Sequence, residues 1–252
     1  MSNSPLISYT RLSPNHSGAR THRVDRITPH CVVGQCSVEG LGATFGSSAR
    51  QVSSQYGIGA DGRVGLYVDE KNRSWCSSSP ENDQRAITIE CASDAKPPYA
   101  FNAVVYAKLV ELCTDICRRH GKTKLLWLGD KAKTLRYAPA DNEMVLTVHR
   151  WFANKNCPGD WMYARMGDLA KKVTEKLGGG SLLYRVQLGA FTESKNADAL
   201  AEKLKAAGFE SYVVKAGSFY KVQTGAFRQK GNAEQLAEKL SKAGFGGAYI
   251  TT

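Results

Sequence analysis

The segment RITPHCVVG, residues 26–34, is a short apolar run that carries His30 near its end and is interrupted by Pro29. Apolar runs of this length are typical of buried β-strands. A second run, RAITIECAS at residues 85–93, has the same character and contains one carboxylate, Glu90. The two segments therefore predict buried strands, each with one chemically active side chain.

Working outward, the neighbouring segments predict a mixed α/β first domain. Residues 55–68 have Asp61-Gly62 between two alternating stretches, which indicates a β-hairpin. Residues 124–130 predict another strand, and residues 162–177 predict an amphipathic helix. The stretch 101–121 predicts a helix with an apolar stripe formed by Phe101, Val104, Val105, Leu109, Leu112 and Ile116. Cys113 and Cys117 extend this stripe, so we expect core thiols rather than a metal pair.

Composition limits the function only loosely. Lys and Arg number 34 against 23 Asp and Glu, so the net charge of +11 favours an anionic partner, with nucleic acid, anionic lipid and acidic wall polymers all admissible. The seven cysteines are irregularly spaced, which predicts reduced thiols. The N-terminus lacks the pattern of a signal peptide, and no stretch approaches the ~18 apolar residues of a membrane span. We therefore expect synthesis in the cytoplasm and no membrane insertion.

The C-terminal part of the chain repeats itself after a glycine-rich stretch. GGGS at residues 178–181 predicts a linker between a first domain, residues 1–177, and a second, residues 182–252. Within the second domain YRVQLGAF at 184 recurs as YKVQTGAF at 220, and each unit has the pattern strand, helix, strand. Two units predict a small βαββαβ, ferredoxin-like domain with two helices on one face of its sheet.

This repeat resembles the SPOR domain, a family whose members bind peptidoglycan glycan strands from which the stem peptides have been removed. Alternation along the strands places the apolar residues towards the helices and four polar side chains on the open face: Arg185, Gln187, Lys221 and Gln223. Amides and cations there can hydrogen-bond sugar hydroxyls and the lactyl carboxylate. The strands lack the aromatic residues that stack RNA bases, so nucleic acid is not the expected partner.

A possible metal site lies further upstream. His149 and Cys157 are eight positions apart, and Pro158-Gly159 supplies a turn that can bring them together. Zinc favours imidazole and thiolate, and a catalytic zinc keeps three protein ligands and one open position. His30 is the candidate third ligand because it ends an apolar strand. The spacing alone leaves a metal site, a thiol nucleophile and a surface turn all open.

Three segments, ITPHCVVG, RAITIECAS and LTVHRWFANKNCPGDW, resemble in this order and spacing the type 2, zinc-dependent N-acetylmuramoyl-L-alanine amidases, and in particular their phage endolysin branch. The resemblance runs from about residue 24 to 177. By position it implies that the Zn²⁺ ligands are His30, His149 and Cys157. It also implies that Glu90 is the general base and Lys155 a residue assisting the transition state. Some relatives use a tyrosine near the hairpin, where this chain has Ser54 or Tyr56.

The resemblance implies cleavage of the amide between N-acetylmuramic acid and L-alanine in peptidoglycan. Glu90 would take a proton from the attacking water, and Lys155 would stabilise the oxyanion. The product is glycan without peptide, which is the ligand expected for the second domain. We therefore expect an endolysin that is retained on wall that has already been cut.

Two other functions remain open on the sequence. A thiol hydrolase would use Cys157 or Cys31 as its nucleophile and His149 as its base. Cys31 directly follows His30, however, and alternation sends their side chains to opposite faces. A non-catalytic module that recognises peptidoglycan is the other alternative, and Cys157 argues against it because such relatives usually lack the cysteine ligand.

Overall fold

A computed structural model describes residues 2–178, 183–227 and 230–251. The chain divides into two compact units, Met1–Gly179 and Gly180–Thr252. Each unit has its own sheet and its own hydrophobic core. The predicted linker lies outside the described residues from position 179 onward.

The first unit is built on a mixed seven-stranded sheet with the order β1-β5-β4-β7-β3-β9-β8. Its strands are β1 (Ile7–Thr10), β3 (Arg26–Cys31), β4 (Tyr56–Ile58), β5 (Val64–Leu66), β7 (Ala86–Cys91), β8 (Lys124–Leu126) and β9 (Glu143–Leu146). A separate antiparallel pair is formed by β2 (His16–Ala19) and β6 (Asn72–Ser74). The predicted hairpin is confirmed, since β4 and β5 pair in antiparallel fashion around Asp61-Gly62.

The helices of this unit confirm the mixed α/β fold. They are α1 (Val38–Phe45), α2 (Pro80–Arg85), α3 (Ala103–Arg119), α4 (Lys131–Arg136), α5 (Asp160–Tyr163) and α6 (Met166–Lys176), with 3-10 turns at Ser48–Arg50 and His149–Trp151. On α3 both Cys113 and Cys117 are fully buried, as predicted. Val104 is 53% exposed, so its place in the apolar stripe was predicted wrongly. It lies in the first turn, where Val105 faces the core instead.

The central strand β3 runs through Pro29 without a break. The backbone N–H of Thr147, just after β9, donates to the carbonyl of Ile27 on β3. The odd-numbered residues of β3 therefore point their backbone N–H and C=O groups towards β9. The pairing with β9 ends at Ile27, whereas the pairing with β7 continues to Cys31. At Pro29 the backbone thus points to the side where β3 has no pairing partner, so the missing N–H of proline costs no hydrogen bond of the sheet.

The segment predicted as one helix over 162–177 forms two. Helix α5 ends at Tyr163, and α6 begins at Met166. The apolar residues Met162, Met166 and Leu169 are nevertheless all buried, as their spacing indicated. The short break therefore leaves the apolar residues of both helices in the core.

The second unit has the predicted βαββαβ order. Its elements are β10 (Tyr184–Phe191), α7 (Ser194–Ala206), β11 (Tyr212–Ala216), β12 (Phe219–Phe227), α8 (Lys230–Lys242) and β13 (Tyr249–Thr251). The strands form an antiparallel sheet in the order β11-β12-β10-β13. Val186, Leu188 and Val222 share a core with apolar residues of both helices, so the helices cover one face of the sheet.

A buried carboxylate anchors the end of α3 in the first unit. Glu70 is fully buried and accepts hydrogen bonds from the Tyr56 hydroxyl at 2.6 Å, the Arg119 guanidinium at 2.5 Å and His120 Nε2 at 2.8 Å. Burial by itself raises the pKa of Glu70, but the bonds from His120 and Arg119 outweigh it and lower the pKa to about 2. His120, at the C-terminal end of α3, therefore contacts a buried carboxylate rather than solvent.

We predict that Glu70→Gln lowers the free energy of unfolding at pH 7 by ~3–5 kcal/mol, because it removes the buried carboxylate that pairs with Arg119 and leaves Asp115 as the remaining carboxylate partner of that guanidinium. The folded pKa lies below the ordinary value of 4.5, so this stabilisation is lost as pH falls from about 4.5 to about 2. Urea unfolding followed by tryptophan fluorescence measures it, since all four tryptophans lie in residues 75–161. Glu39→Gln, which breaks an exposed pair with Arg63, is the control. Equal losses in both variants would contradict the prediction.

Candidate metal centre

Three residues that are distant in sequence meet at one edge of the seven-stranded sheet. The donor atoms of His30, His149 and Cys157 all lie within 4.8 Å of one another. Cys157 Sγ is 3.3 Å from His30 Nδ1, and the two imidazole rings are 5.1 Å apart between centroids. The sequence predicted these three residues as ligands, and the fold brings them together.

Strand register explains the convergence. Strands β3, β7 and β9 are parallel neighbours, so their carboxyl ends open at the same edge. His30 lies near the end of β3, and His149 begins the 3-10 turn that follows β9. Cys157 returns towards them because its carbonyl accepts a hydrogen bond from the Arg150 N–H. Gly159 permits the turn with a φ of +83°, and a Cβ there would lie 2.8 Å from the Pro98 carbonyl.

Glu90 lies directly beside His30. The two residues are register partners on β7 and β3, so their side chains project from the same face. Glu90 Oε1 is 3.8 Å from His30 Nδ1, and Oε2 is buried without a hydrogen-bond partner among the described residues. Burial, followed by the charge of Cys31, raises the pKa of Glu90 to about 8. The Oε2 atom can therefore accept one further hydrogen bond or contact a cation.

Both imidazoles are held in their neutral form. Burial, and then the proximity of His149, lowers the pKa of His30 well below its ordinary value. Burial and the charge of Lys155 lower the pKa of His149. Neutral imidazole is the form that coordinates metal ions, and two such rings with one thiol make up a donor set that suits zinc. The residues present therefore fit a divalent ion with an affinity for nitrogen and sulfur.

One loop fixes the orientation of both rings. We call residues 75–79, between β6 and α2, the clamp loop. Its Ser78 Oγ lies 2.9 Å from His149 Nε2, and its Cys76 Sγ lies 3.4 Å from His30 Nε2. Because the Nε2 atoms are engaged, the Nδ1 atoms remain for a shared ligand. A side chain that contacts the second ring nitrogen commonly sets the tautomer of a metal-binding histidine.

The clamp loop is itself anchored by a buried carboxylate. Asp83 accepts hydrogen bonds from the backbone N–H groups of Cys76 and Ser77, each at 3.1 Å. Ser78 adopts a φ of +61°, an unusual conformation for a residue with a side chain. Sequence reasoning missed Cys76 and Ser78, since WCSSS carries no spacing that indicates an interaction with either histidine. The donor atoms of a second set, His30, Cys76 and Glu90, also lie within 4.8 Å of one another.

The remaining predicted residues are placed as follows. Lys155 is exposed and, together with His149, borders two clefts of about 520 and 490 Å³. Glu90 and Cys157 line the second cleft.

The alternatives to Glu90 are engaged elsewhere. Tyr56 is fully buried and its hydroxyl donates a hydrogen bond to Glu70, and Ser54 Oγ donates to Thr88. Of these three candidates, Glu90 alone is in contact with the predicted ligands.

The thiol nucleophile is poorly supported by this geometry. Burial raises the pKa of Cys157 well above its ordinary value, so the thiolate is disfavoured in the absence of a metal. Among the described residues, Cys31 forms no hydrogen bond with an imidazole. The thiol of Cys157 instead lies against His30, which its own low pKa keeps neutral.

The second unit carries a different kind of surface. Register pairs Tyr212 with Gln223, Gln223 with Gln187, and Gln187 with Tyr249, which makes a row across all four strands on the helix-free face. The two tyrosines are 45% and 46% exposed. We call these four residues the aromatic-amide row.

The predicted glycan-binding residues are only partly free. Gln187 is 1% exposed, because Tyr249 covers it and accepts a hydrogen bond from its amide, so it does not present the open amide that strand alternation suggested. Gln223, Arg185 and Lys221 are half-buried on the same face. Sequence analysis missed Tyr212 and Tyr249, whose roles depend on cross-strand register.

Comparison with known proteins identifies both parts of the chain. The profile of the N-acetylmuramoyl-L-alanine amidase family matches residues 19–160, and that of the SPOR domain matches residues 181–251. No curated protein matches the chain. The resemblance to both families that the sequence indicated is therefore confirmed. Within the described residues, no helix combines the length and the apolar character needed to cross a bilayer.

Several solved structures are similar to parts of the chain. The peptidoglycan-binding domain of the Bacillus subtilis cell wall lytic enzyme CwlC is 48% identical over 27% of this chain and 86% of its own, with a TM-score of 0.26. The Staphylococcus aureus hydrolase AmiA, in complex with its ligand, is 13% identical over 70% of this chain and 85% of its own, with a TM-score of 0.48. The Clostridium intestinale endolysin LysCS is 15% identical over 68% and 97%, with a TM-score of 0.41.

We predict that Glu90→Gln stabilises the chelator-treated protein at alkaline pH. The raised pKa of about 8 means that the folded state retains a proton which the unfolded state loses, so stability falls as pH rises from about 4.5 to about 8. Glutamine is neutral throughout and removes this cost, which is of the order of ~2–4 kcal/mol. Urea unfolding at pH 6 and pH 8.5 measures the difference. Glu175→Gln on the exposed side of α6 is the control, and a shared pH dependence would argue against the prediction.

Proposed function

Because this chain belongs to the N-acetylmuramoyl-L-alanine amidase family and continues into a SPOR domain, we propose that it cleaves peptidoglycan at the amide between N-acetylmuramic acid and L-alanine with a zinc ion held by His30, His149 and Cys157. It is a peptidoglycan hydrolase that acts on the cell wall, with a peptidoglycan-binding domain. The convergence of three zinc-type donors beside Glu90, whose Oε2 has no hydrogen-bond partner among the described residues, supports the metal-dependent mechanism most directly.

The donor set matches what catalytic zinc requires. Two neutral imidazoles and one thiol leave a fourth position for water or substrate. When bound, zinc would lower the pKa of a water to ~7 and polarise the scissile carbonyl. The clamp loop, through Cys76 and Ser78, would keep both imidazole rings in place. Cys157 would contribute the one anionic ligand, which keeps the site electrophilic.

Glu90 is the proposed general base. Its carboxylate lies beside the ligands, and its buried Oε2 is free to take the proton from the attacking water. The same carboxyl group can then return that proton to the nitrogen of the departing L-alanine. Proton transfer of this kind contributes typically ~10²–10⁴-fold to rate. Lys155, at the mouth of both clefts, is placed to stabilise the negative charge that develops on the carbonyl oxygen.

The second domain would retain the enzyme on cut wall. Tyrosine rings can stack on the apolar faces of sugar rings, while Gln223, Arg185 and Lys221 supply donors for hydroxyls and carboxylates. The aromatic-amide row spans the sheet, as an extended glycan chain requires. The amidase product, glycan without stem peptide, is the ligand that we propose for this face.

We predict that Cys157→Ser loses stoichiometric zinc, whereas Glu90→Gln keeps the zinc and loses activity by ~10²–10⁴-fold. Mass spectrometry of digested peptidoglycan identifies the bond that is cut, and elemental analysis gives the zinc content. Cys36→Ser is the matched control, since its half-buried thiol belongs to neither donor set.

A chelator should abolish release of the peptide, and added zinc should restore it. If an alkylating reagent inactivated the enzyme while zinc remained bound and chelators had no effect, the thiol hydrolase would be the better account. Zinc binding without any cleavage would favour the recognition module.

We predict that Tyr212→Ala or Gln223→Ala weakens binding to amidase-treated sacculi by about 5-fold, because each removes one contact of the aromatic-amide row. Deletion of residues 181–252 should remove most of the binding. Gln235→Ala, on the exposed side of α8, is the matched control for the glutamine. Co-sedimentation of the full chain measures the effect, and undiminished binding by the deletion would discard this role.

A further inference from the structure

Arg26, the first residue of β3, is a buried cation without an ionic partner. It is 2% exposed, and among the described residues no carboxylate forms an ion pair with it. Its Nη1 lies 3.3 Å from Asn82 Oδ1, whereas its buried Nη2 has no hydrogen-bond partner. The neighbouring Asp25 is already paired with Arg85 at 2.5 Å. Buried guanidinium groups are normally paired, so an anion is the partner that would complete this site.

Arg26 lines a cavity of about 360 Å³. The exposed Lys131 of α4 lies at the same cavity, and Phe152 and Leu135 supply apolar wall. The carboxylate of Glu81 also borders it, so two cations face one anion. This balance favours a single carboxylate attached to an otherwise uncharged or partly apolar ligand over a polyanion.

The cavity continues from the catalytic centre along the same face of the sheet. Arg26 and His30 are four residues apart on β3, so their side chains project from the same face of the sheet. Four residues of strand place their Cα atoms about 13 Å apart. Ser78, Ser79 and Pro80 line both this cavity and the cleft that contains His149 and Lys155. An extended peptide advances ~3.3–3.6 Å per residue, so a chain of about three or four residues covers this distance.

We propose that this cavity is a specificity subsite for a free carboxylate on the peptide released by the amidase, with Arg26 as its buried cation and Lys131 at its mouth. The assignment rests on the proposed amidase function, because the substrate of that reaction carries a peptide on one side of the scissile amide. Binding a carboxylate here supplies Arg26 with the partner that the folded chain lacks. A carboxamide at the same position leaves the guanidinium without an ionic partner.

The test compares two synthetic muramoyl peptides that differ only in a carboxylate or a carboxamide on the second or third residue. We expect the zinc-loaded full chain to cleave the carboxylate substrate with a kcat/KM about 10-fold higher, since hydrogen bonds to charged groups are the stronger ones. The difference should lie in KM. Arg26→Gln should reduce the ratio to about 1, and Lys131→Gln should reduce it several-fold through a higher KM for the carboxylate substrate, whereas Lys133→Gln should leave both kcat/KM values unchanged.

Lys133→Gln is the matched control, because Lys133 is an exposed lysine of the same helix that does not line the cavity. Lys131→Gln keeps the test decisive even if Arg26→Gln fails to fold. A ratio of 1 in the unmodified enzyme, or equal ratios in the Lys131 and Lys133 variants, would overturn the subsite. Failure to cleave either substrate would instead count against the proposed amidase function.

Discussion

The parallel register of β3, β7 and β9 is the constraint on which the catalytic site depends. It sets His30 beside Glu90 and directs the loop after β9 to the same edge of the sheet. A slip of one residue would send either side chain to the opposite face. The sheet therefore does more than support the candidate site, because its hydrogen-bond ladder sets His30 and Glu90 side by side.

Burial then gives these side chains their chemical character. Neutral imidazoles, a protonated thiol and a carboxyl group with a raised pKa are the forms expected where charge is poorly solvated. A divalent ion would reverse that balance by favouring the thiolate and the carboxylate. The clamp loop adds orientation, since Cys76 and Ser78 engage one nitrogen of each ring. The folded chain thus holds the three candidate donors together through its own contacts.

The two parts of the chain are joined by the chemistry of one polymer. The first removes peptides from peptidoglycan, and the proposed ligand of the second is the glycan that remains. Their surfaces differ accordingly. The amidase site combines metal-type donors with clefts and a buried cation, whereas the SPOR sheet presents tyrosines and amides in a row. Retention on cut wall requires no contact between the two sites.

The sequence by itself determined the two-part organisation and most strands and helices, because residue type, periodicity and spacing are local properties. The three candidate ligands came from its resemblance to a family, since their spacing alone left other interpretations open. It did not place Cys76 and Ser78 on the histidines, bury His120 against Glu70, or cover Gln187 with Tyr249. It also gave no sign that Arg26 lacks a partner. Tertiary structure decided these features, since each depends on strand register and on side chains from distant segments competing for the same buried space.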